Sequence, residues 1–161
     1  MHDFGPRLAA WRLSKGLTQA ELALKAGIPR PNLSALEQSK RDITLQTLNK
    51  LVQALGLSVS QVLEKRPPAP FDQTDRHQID AVARALVSGE RPFSDAINQM
   101  VDRLAAIIKS RLQAHQVPGY RNVAHISSDG TQSWRVLQSW LGSSLIDRIL
   151  GRVTKFLPHA A

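Results

Sequence analysis

The sequence predicts an all-α protein in two parts, and three observations lead there. Apolar residues recur at helical spacing through most of the chain, while no alternating stretch finds an obvious partner strand. Helix-start signals (Ser or Thr with Glu or Gln three residues later) and helix-stop glycines fall at the ends of those stretches. Three of the four residues Pro67-Pro68-Ala69-Pro70 are prolines, which cannot continue a helix and favour an extended spacer. The expected organisation is a helical unit over 1–65, a proline-rich linker over 66–71 and a second helical unit over 72–161. With 42% apolar and 21% charged residues, 161 residues can bury a core in each part.

Five short helices are expected before the linker. Leu8, Trp11 and Leu13 mark the first, ending near Lys15-Gly16. Thr18 and Glu21 form a capping box that starts a second helix bearing Leu22, Ala23 and Ala26, closed by Gly27. The third begins near Arg30-Pro31, where proline is tolerated in a first turn, and carries Leu33 and Leu36. Thr44 opens a fourth with Leu48, Leu51, Val52 and Leu55 on one face and Gly56 as its stop. Ser58 and Gln61 cap a fifth with Val59, Val62 and Leu63.

Three helices are expected after it. Gln78 to Val87 presents Ile79, Val82, Ala83 and Leu86 on one side. Pro92 to Leu112 aligns Ile97, Val101, Leu104, Ile108 and Leu112 in a stripe. The stretch from Gln116 to Gly130 reads as loop, Val123–Ile126 included. One long helix from about Gln132 to Phe156 carries Trp134, Leu137, Leu141, Leu145, Ile149 and Val153, locally weakened by Gly142 and Gly151. Its apolar face is expected in the C-terminal core or a subunit interface rather than on a membrane.

Composition narrows the chemistry. Twenty-one Lys and Arg against thirteen Asp and Glu give a net charge of +8, which attracts polyanions, nucleic acid first. The charge is shared by the two parts, with nine basic and five acidic side chains in 1–65 and twelve and eight in 66–161. No cysteine is present, so disulfides, thiolate zinc sites and cysteine nucleophiles are excluded. His2, His77, His115, His125 and His159 lack metal-ligand spacing, no glycine-rich phosphate loop occurs, and Ser127-Ser128 has no recognisable base. Neither an enzyme activity, a metal nor a cofactor is expected. No apolar run is long enough to cross a bilayer and the first residues do not resemble a signal peptide, so a cytoplasmic protein is expected.

Residues 19–38 have helix-turn-helix architecture. Two steeply crossing helices need a small residue where their backbones meet, a glycine at the turn and apolar residues on both arms. Ala23 and Gly27 meet the first two demands, and Leu22, Ala26, Ile28, Leu33 and Leu36 the third. With Gly16-Leu17-Thr18-Gln19, Leu33-Ser34-Ala35-Leu36-Glu37, Thr44-Leu45, Leu48 and Leu55-Gly56-Leu57-Ser58, residues 8–63 resemble the repressor/Cro-type (XRE-like) helix-turn-helix family. The resemblance implies a five-helix repressor-like domain that binds duplex DNA with its third helix (about residues 30–38) in the major groove, usually as a dimer. It does not extend to the C-terminal half.

Carried over by position, the resemblance gives Gln19 a DNA phosphate and the bracing of the third helix. Arg30, Pro31, Asn32, Ser34 and Ala35 fall on the groove-facing side, and Gln38, Lys40 and Arg41 on backbone-clamping positions. Arg12 and Glu37 match an internal salt bridge and are read as structural. Chemistry agrees in part: an arginine fork suits guanine O6 and N7, an Asn suits adenine, and Lys or Arg after the helix suits phosphates. Pro31 stands where relatives often carry a polar reader, so it and Ala35 offer apolar contact only, leaving shape or dimer spacing to supply specificity.

The resulting expectation is a sequence-specific, homodimeric DNA-binding transcriptional regulator, a repressor by the habit of its relatives, with residues 72–161 mediating oligomerisation or a partner. Two alternatives use the C-terminal half differently. One is an antitoxin that silences a toxin through residues 72–161 and autoregulates its operon; the other is a regulator that holds an anionic small molecule there.

Overall fold

Local chemistry at the helix ends accounts for most of the element boundaries. The structure is a computed structural model and describes residues 4–116 and 128–157. These residues form nine helices and no strand: α1 (Phe4–Ser14), α2 (Gln19–Ala26), α3 (Arg30–Glu37), α4 (Leu45–Leu55), α5 (Val59–Glu64), α6 (Arg76–Ser88), α7 (Asp95–Gln116), α8 (Ser128–Leu141) and α9 (Ser143–Val153). Both capping boxes are formed, with Thr18 and Ser58 each accepting from the backbone of the residue three on and bonded in return by Glu21 and Gln61. No helix among the described residues is long and apolar enough to cross a membrane.

Two apolar cores organise the chain. The first joins Leu8 and Trp11 of α1 to Leu22, Ala23 and Ala26 of α2, Leu33 and Leu36 of α3, four residues of α4 and Val62. The second gathers Ile79, Val82 and Ala85 of α6, Met100, Val101, Leu104 and Ile107 of α7, Val136, Leu137, Trp140 and Leu141 of α8, and Leu145, Ile146 and Ile149 of α9. Helix α1 belongs to both. Ala9, Ala10 and Leu13, on the side opposite Leu8 and Trp11, lie in the second core. A helix buried on two faces carries no amphipathic stripe, and all residues of α1 from Leu8 to Leu13 are buried.

The proline-rich segment lies against the second core. Pro67 is buried, the Trp140 indole N–H donates to the Pro68 carbonyl at 2.9 Å, and Phe71 packs on the core. On the far side, Arg152 pairs with Asp80 and ties α9 to α6. Hydrogen bonds from Arg152 hold the Asp80 carboxyl below its usual range.

The C-terminal half departs from the sequence expectation in four ways, one being that residues 128–130, expected as loop, open α8. The single helix expected from Gln132 to Phe156 is two helices, because Gly142 adopts φ +78°, ψ 155°, a combination open essentially to glycine. Helix α7 starts at Asp95 rather than Pro92; the Asn98 side chain bonds the carbonyls of Arg91 and Phe93 and the Phe93 N–H, holding that segment outside the helix. The buried side of α7 is rotated from the expected stripe, with Met100 and Ile107 buried and Ile108 only half-buried. The loop expected around Val123–Ile126 lies outside the described residues.

Candidate nucleic-acid interface

Helix α3 has an inner side that is fixed and an outer side that is open. Leu33, Leu36 and Glu37 are buried, whereas Arg30 and Pro31 are exposed and Asn32, Ser34 and Ala35 half-buried. Pro29 precedes the helix without a side-chain cap, and Pro31 falls in the first turn, where a missing N–H breaks no helical bond. After Glu37 the chain turns through Ser39 at φ +55°, and Lys40 N–H closes onto the Ala35 carbonyl at 2.9 Å. That turn sends Lys40 and Arg41 into solvent beside the outer side of α3. The Arg41 guanidinium donates to Asn32 Oδ1 at 3.2 Å, and Gln38 Nε2 to Ser34 Oγ at 3.2 Å. Arg30, Pro31, Asn32, Ser34, Ala35, Gln38, Lys40 and Arg41 thus occur on one short helix and the turn that ends it.

The inner side is held by a buried charge network. Arg12 Nε donates to Glu37 Oε1 at 2.6 Å and its terminal nitrogen to Oε2 at 2.9 Å, with both side chains almost wholly buried. Paired, bidentate geometry is the condition under which such charges are tolerated inside a protein. A second terminal nitrogen of Arg12 donates to the Leu17 carbonyl at 2.9 Å, tying the network to the turn before α2. Gln19 Nε2 gives one proton to Glu37 Oε2 at 2.9 Å, so the first residue of α2 is anchored to the last residue of α3. An amide nitrogen carries two protons, which leaves a second for an acceptor such as a phosphate oxygen.

Three further residues bear on α3, two of them without any local signal in the sequence. The Gln132 side chain in α8 donates to the Glu37 carbonyl at 2.8 Å, across 95 residues of chain. Gln99 in α7 accepts from Arg12 at 3.5 Å. At Gly5, a β-carbon would fall 2.7 Å from the Glu37 carbonyl oxygen and 2.6 Å from Ser39 Oγ, so the start of α1 touches the end of α3 backbone to backbone. Only the Gly5-Pro6 pair at a helix start hints at this in the sequence.

Between this region and α7 lies an open cleft of about 780 Å³. One wall carries Thr18, Gln19, Glu21, Arg30 and Gln38; the other carries Asp95, Asn98, Gln99, Asp102 and Arg103 of α7. Hydrogen bonds from the Thr18 backbone and hydroxyl hold the Glu21 carboxyl below its usual range, so it stays anionic at the α2 N-terminus. Among the described residues no group of His, Asp and Glu is arranged to hold a metal ion.

The helix-turn-helix family profile matches residues 8–62. Over 67 residues the chain is 39% identical to the uncharacterised HTH-type transcriptional regulator y4dJ of Sinorhizobium fredii, covering 42% of this chain and 87% of that protein. It is 32% identical over 87 residues to the HTH-type transcriptional regulator SinR of Bacillus subtilis, which covers 53% of this chain and 78% of SinR. A longer alignment, 27% identical over 137 residues, relates 73% of the chain to 95% of the immunity repressor protein of Bacillus phage phi105. No solved structure matches. These relatives are named as regulators and repressors, a non-enzymatic class, and the match covers the two crossing helices with the buried Arg12–Glu37 pair behind them. The chain belongs to the helix-turn-helix family of DNA-binding transcriptional regulators.

Proposed function

We propose that this protein binds operator DNA in the cytoplasm as a homodimer and represses transcription from it, through residues 1–65, with 66–71 as the connection and 72–161 as the supporting and partner-responsive part. The observation that carries this reading is α3 itself: a helix locked on its inner side by Glu37, Leu33 and Leu36, with Arg30 and Pro31 exposed and two cations in the turn that follows. In the major groove, Arg30 addresses guanine and Asn32 adenine, with Ser34 beside them. Pro31 and Ala35 supply apolar contact. Gln19, Gln38, Lys40 and Arg41 hold phosphates, fixing register rather than sequence.

Pairing of two copies is supported by a surface on the N-terminal part. Leu45 and Leu63 are 71% and 40% exposed around a groove lined by Phe4, Leu36, Ile43 and Leu48. Arg41 lies on the same rim, so a second copy seated there would be close to the DNA-facing turn. Two α3 helices about 34 Å apart then enter successive major grooves.

The test is fluorescence-anisotropy titration of the full chain against the duplex upstream of its own gene and a scrambled duplex, at low and physiological salt. Preference for the upstream duplex that survives physiological salt is expected, with two chains per site. Arg30→Ala should weaken only the specific complex, by about 1–3 kcal/mol, while Lys40→Ala should weaken both duplexes alike and reduce the salt slope by about one. Equal binding to both duplexes that vanishes with salt would leave only the attraction of a +8 chain for a polyanion.

A further inference from the structure

We propose that Gln132 is a positioning residue for DNA binding: by closing the last carbonyl of α3 from α8, it fixes the turn that carries Lys40 and Arg41. This rests on the DNA-binding reading above, which assigns those two cations to phosphates. The last four carbonyls of an α-helix have no partner within the helix. In α3 they belong to Ser34, Ala35, Leu36 and Glu37. The turn closes three of them itself, with the Gln38 N–H on Ser34 at 3.1 Å, the Lys40 N–H on Ala35 at 2.9 Å and the Ser39 N–H on Leu36 at 3.0 Å. The fourth, that of Glu37, receives the Gln132 side-chain amide at 2.8 Å, from 95 residues further along the chain.

The bond falls where the backbone needs outside support. The Glu37 carbonyl and the Gln38 N–H share one peptide plane, so holding the carbonyl sets the direction in which the chain leaves α3. Ser39 follows at φ +55°, a left-handed conformation that residues other than glycine keep only where their surroundings hold it. The N–H groups of Gln38, Ser39 and Lys40 are already engaged by the three earlier carbonyls, so the turn has none of these to offer Glu37. Gly5 of α1 covers another side of the same oxygen, since a β-carbon there would fall 2.7 Å from it. Lys40 and Arg41 are exposed, and their place beside α3 is therefore set by the backbone of the turn rather than by burial. A turn ordered before binding spares the complex the cost of ordering it. Through this one bond, a helix of the C-terminal half takes part in DNA binding by way of the turn's backbone.

The experiment compares full-length wild type, Gln132→Met, Gln132→Asn and, as the control, Gln138→Met, each also in a background of Lys40→Ala with Arg41→Ala. Methionine keeps the length of the side chain without a donor. Asparagine keeps the amide but is one methylene too short to reach, and it carries the test if the methionine variant unfolds. Gln138 is an exposed glutamine of the same helix, bonded to Ser143 rather than to α3. All forms are titrated against the upstream and scrambled duplexes, and hydrogen exchange reads the Lys40 amide. Both Gln132 variants are expected to bind both duplexes about two- to tenfold more weakly, the span to which the net contribution of one hydrogen bond converts. They should also lose protection at the Lys40 amide, and lose little further affinity once Lys40 and Arg41 are already alanine. A bond with a structural role alone would lower the melting temperature and leave the affinity of the folded protein unchanged. The control should bind like wild type. Unchanged affinity, unchanged Lys40 protection, a loss of equal size in the alanine background or an equal loss in the control overturns the positioning role while leaving the DNA-binding reading standing. If wild type shows no preference for the upstream duplex, that reading fails and the positioning role falls with it.

Discussion

Glu37 is the residue where the chain's long-range contacts meet. Its carboxylate takes two bonds from Arg12 and one from Gln19, and its carbonyl takes one from Gln132, so α1, α2 and α8 all bear on the end of α3. A buried charge that loses its partner is costly, whereas an apolar pair of similar volume can replace both at little cost. Arg12→Ala is therefore expected to destabilise the protein by about 3–5 kcal/mol in urea unfolding, and combining Arg12→Met with Glu37→Leu to recover most of that. A loss under about 1 kcal/mol in the single variant would mean that water reaches Glu37 and that the pair does not fix α3. Among individual residues, legibility follows chain separation. Arg12 and Glu37 are 25 residues apart and entered through the resemblance; no pattern within α1 or α3 pairs them. Gln132 is 95 residues from Glu37, and a lone glutamine in an amphipathic helix carries no sign of where its amide points.

At the scale of elements, end chemistry was readable and breaks within an apolar repeat were not. The Thr18/Glu21 and Ser58/Gln61 boxes are local, need only a spacing of three, and start α2 and α5 where the sequence places them. The break between α8 and α9 is invisible to periodicity because Leu137, Leu141, Leu145 and Ile149 keep a spacing of four straight through it. Only the backbone of Gly142 tells the two helices apart. Gly151 offers the matching contrast: it is exposed within α9, and a β-carbon there meets nothing within 4 Å. Gly142→Ala should destabilise by about 1–3 kcal/mol, since alanine cannot hold φ +78° with ψ 155° and its methyl would press on Arg66. Gly151→Ala should stabilise by about 0.5–1 kcal/mol through helix propensity alone. Opposite shifts in chemical denaturation are the expected result; stabilisation at both positions would mean that α8 and α9 run on as a single helix in solution.

For the whole molecule, the decisive fact is that α1 is shared. The proline cluster reads as a boundary because prolines stop helices, and the sequence on each side supplies enough apolar residues for its own core. What the pattern hides is that α1 has a second apolar side, Ala9, Ala10 and Leu13, aimed at α8 and α7 rather than at its own neighbours in the chain. Small alanines on that side let helices approach closely but add little to a hydrophobic count, so the helix reads as an ordinary one-sided segment. The consequence is thermodynamic coupling. Exposing Leu13 and two alanine methyls costs on the order of 3 kcal/mol, a large share of the stability of a 65-residue unit. Residues 1–65 alone should therefore melt well below the full chain, and the full chain should unfold in one calorimetric transition whose van't Hoff and calorimetric enthalpies agree. Two resolved transitions, with the N-terminal one unchanged by removing residues 66–161, would mean that the contact through α1 contributes nothing in solution. A single transition has a consequence for regulation as well: whatever binds the helices after the linker acts on the same folded body that holds α3, and needs no separate signal to reach it.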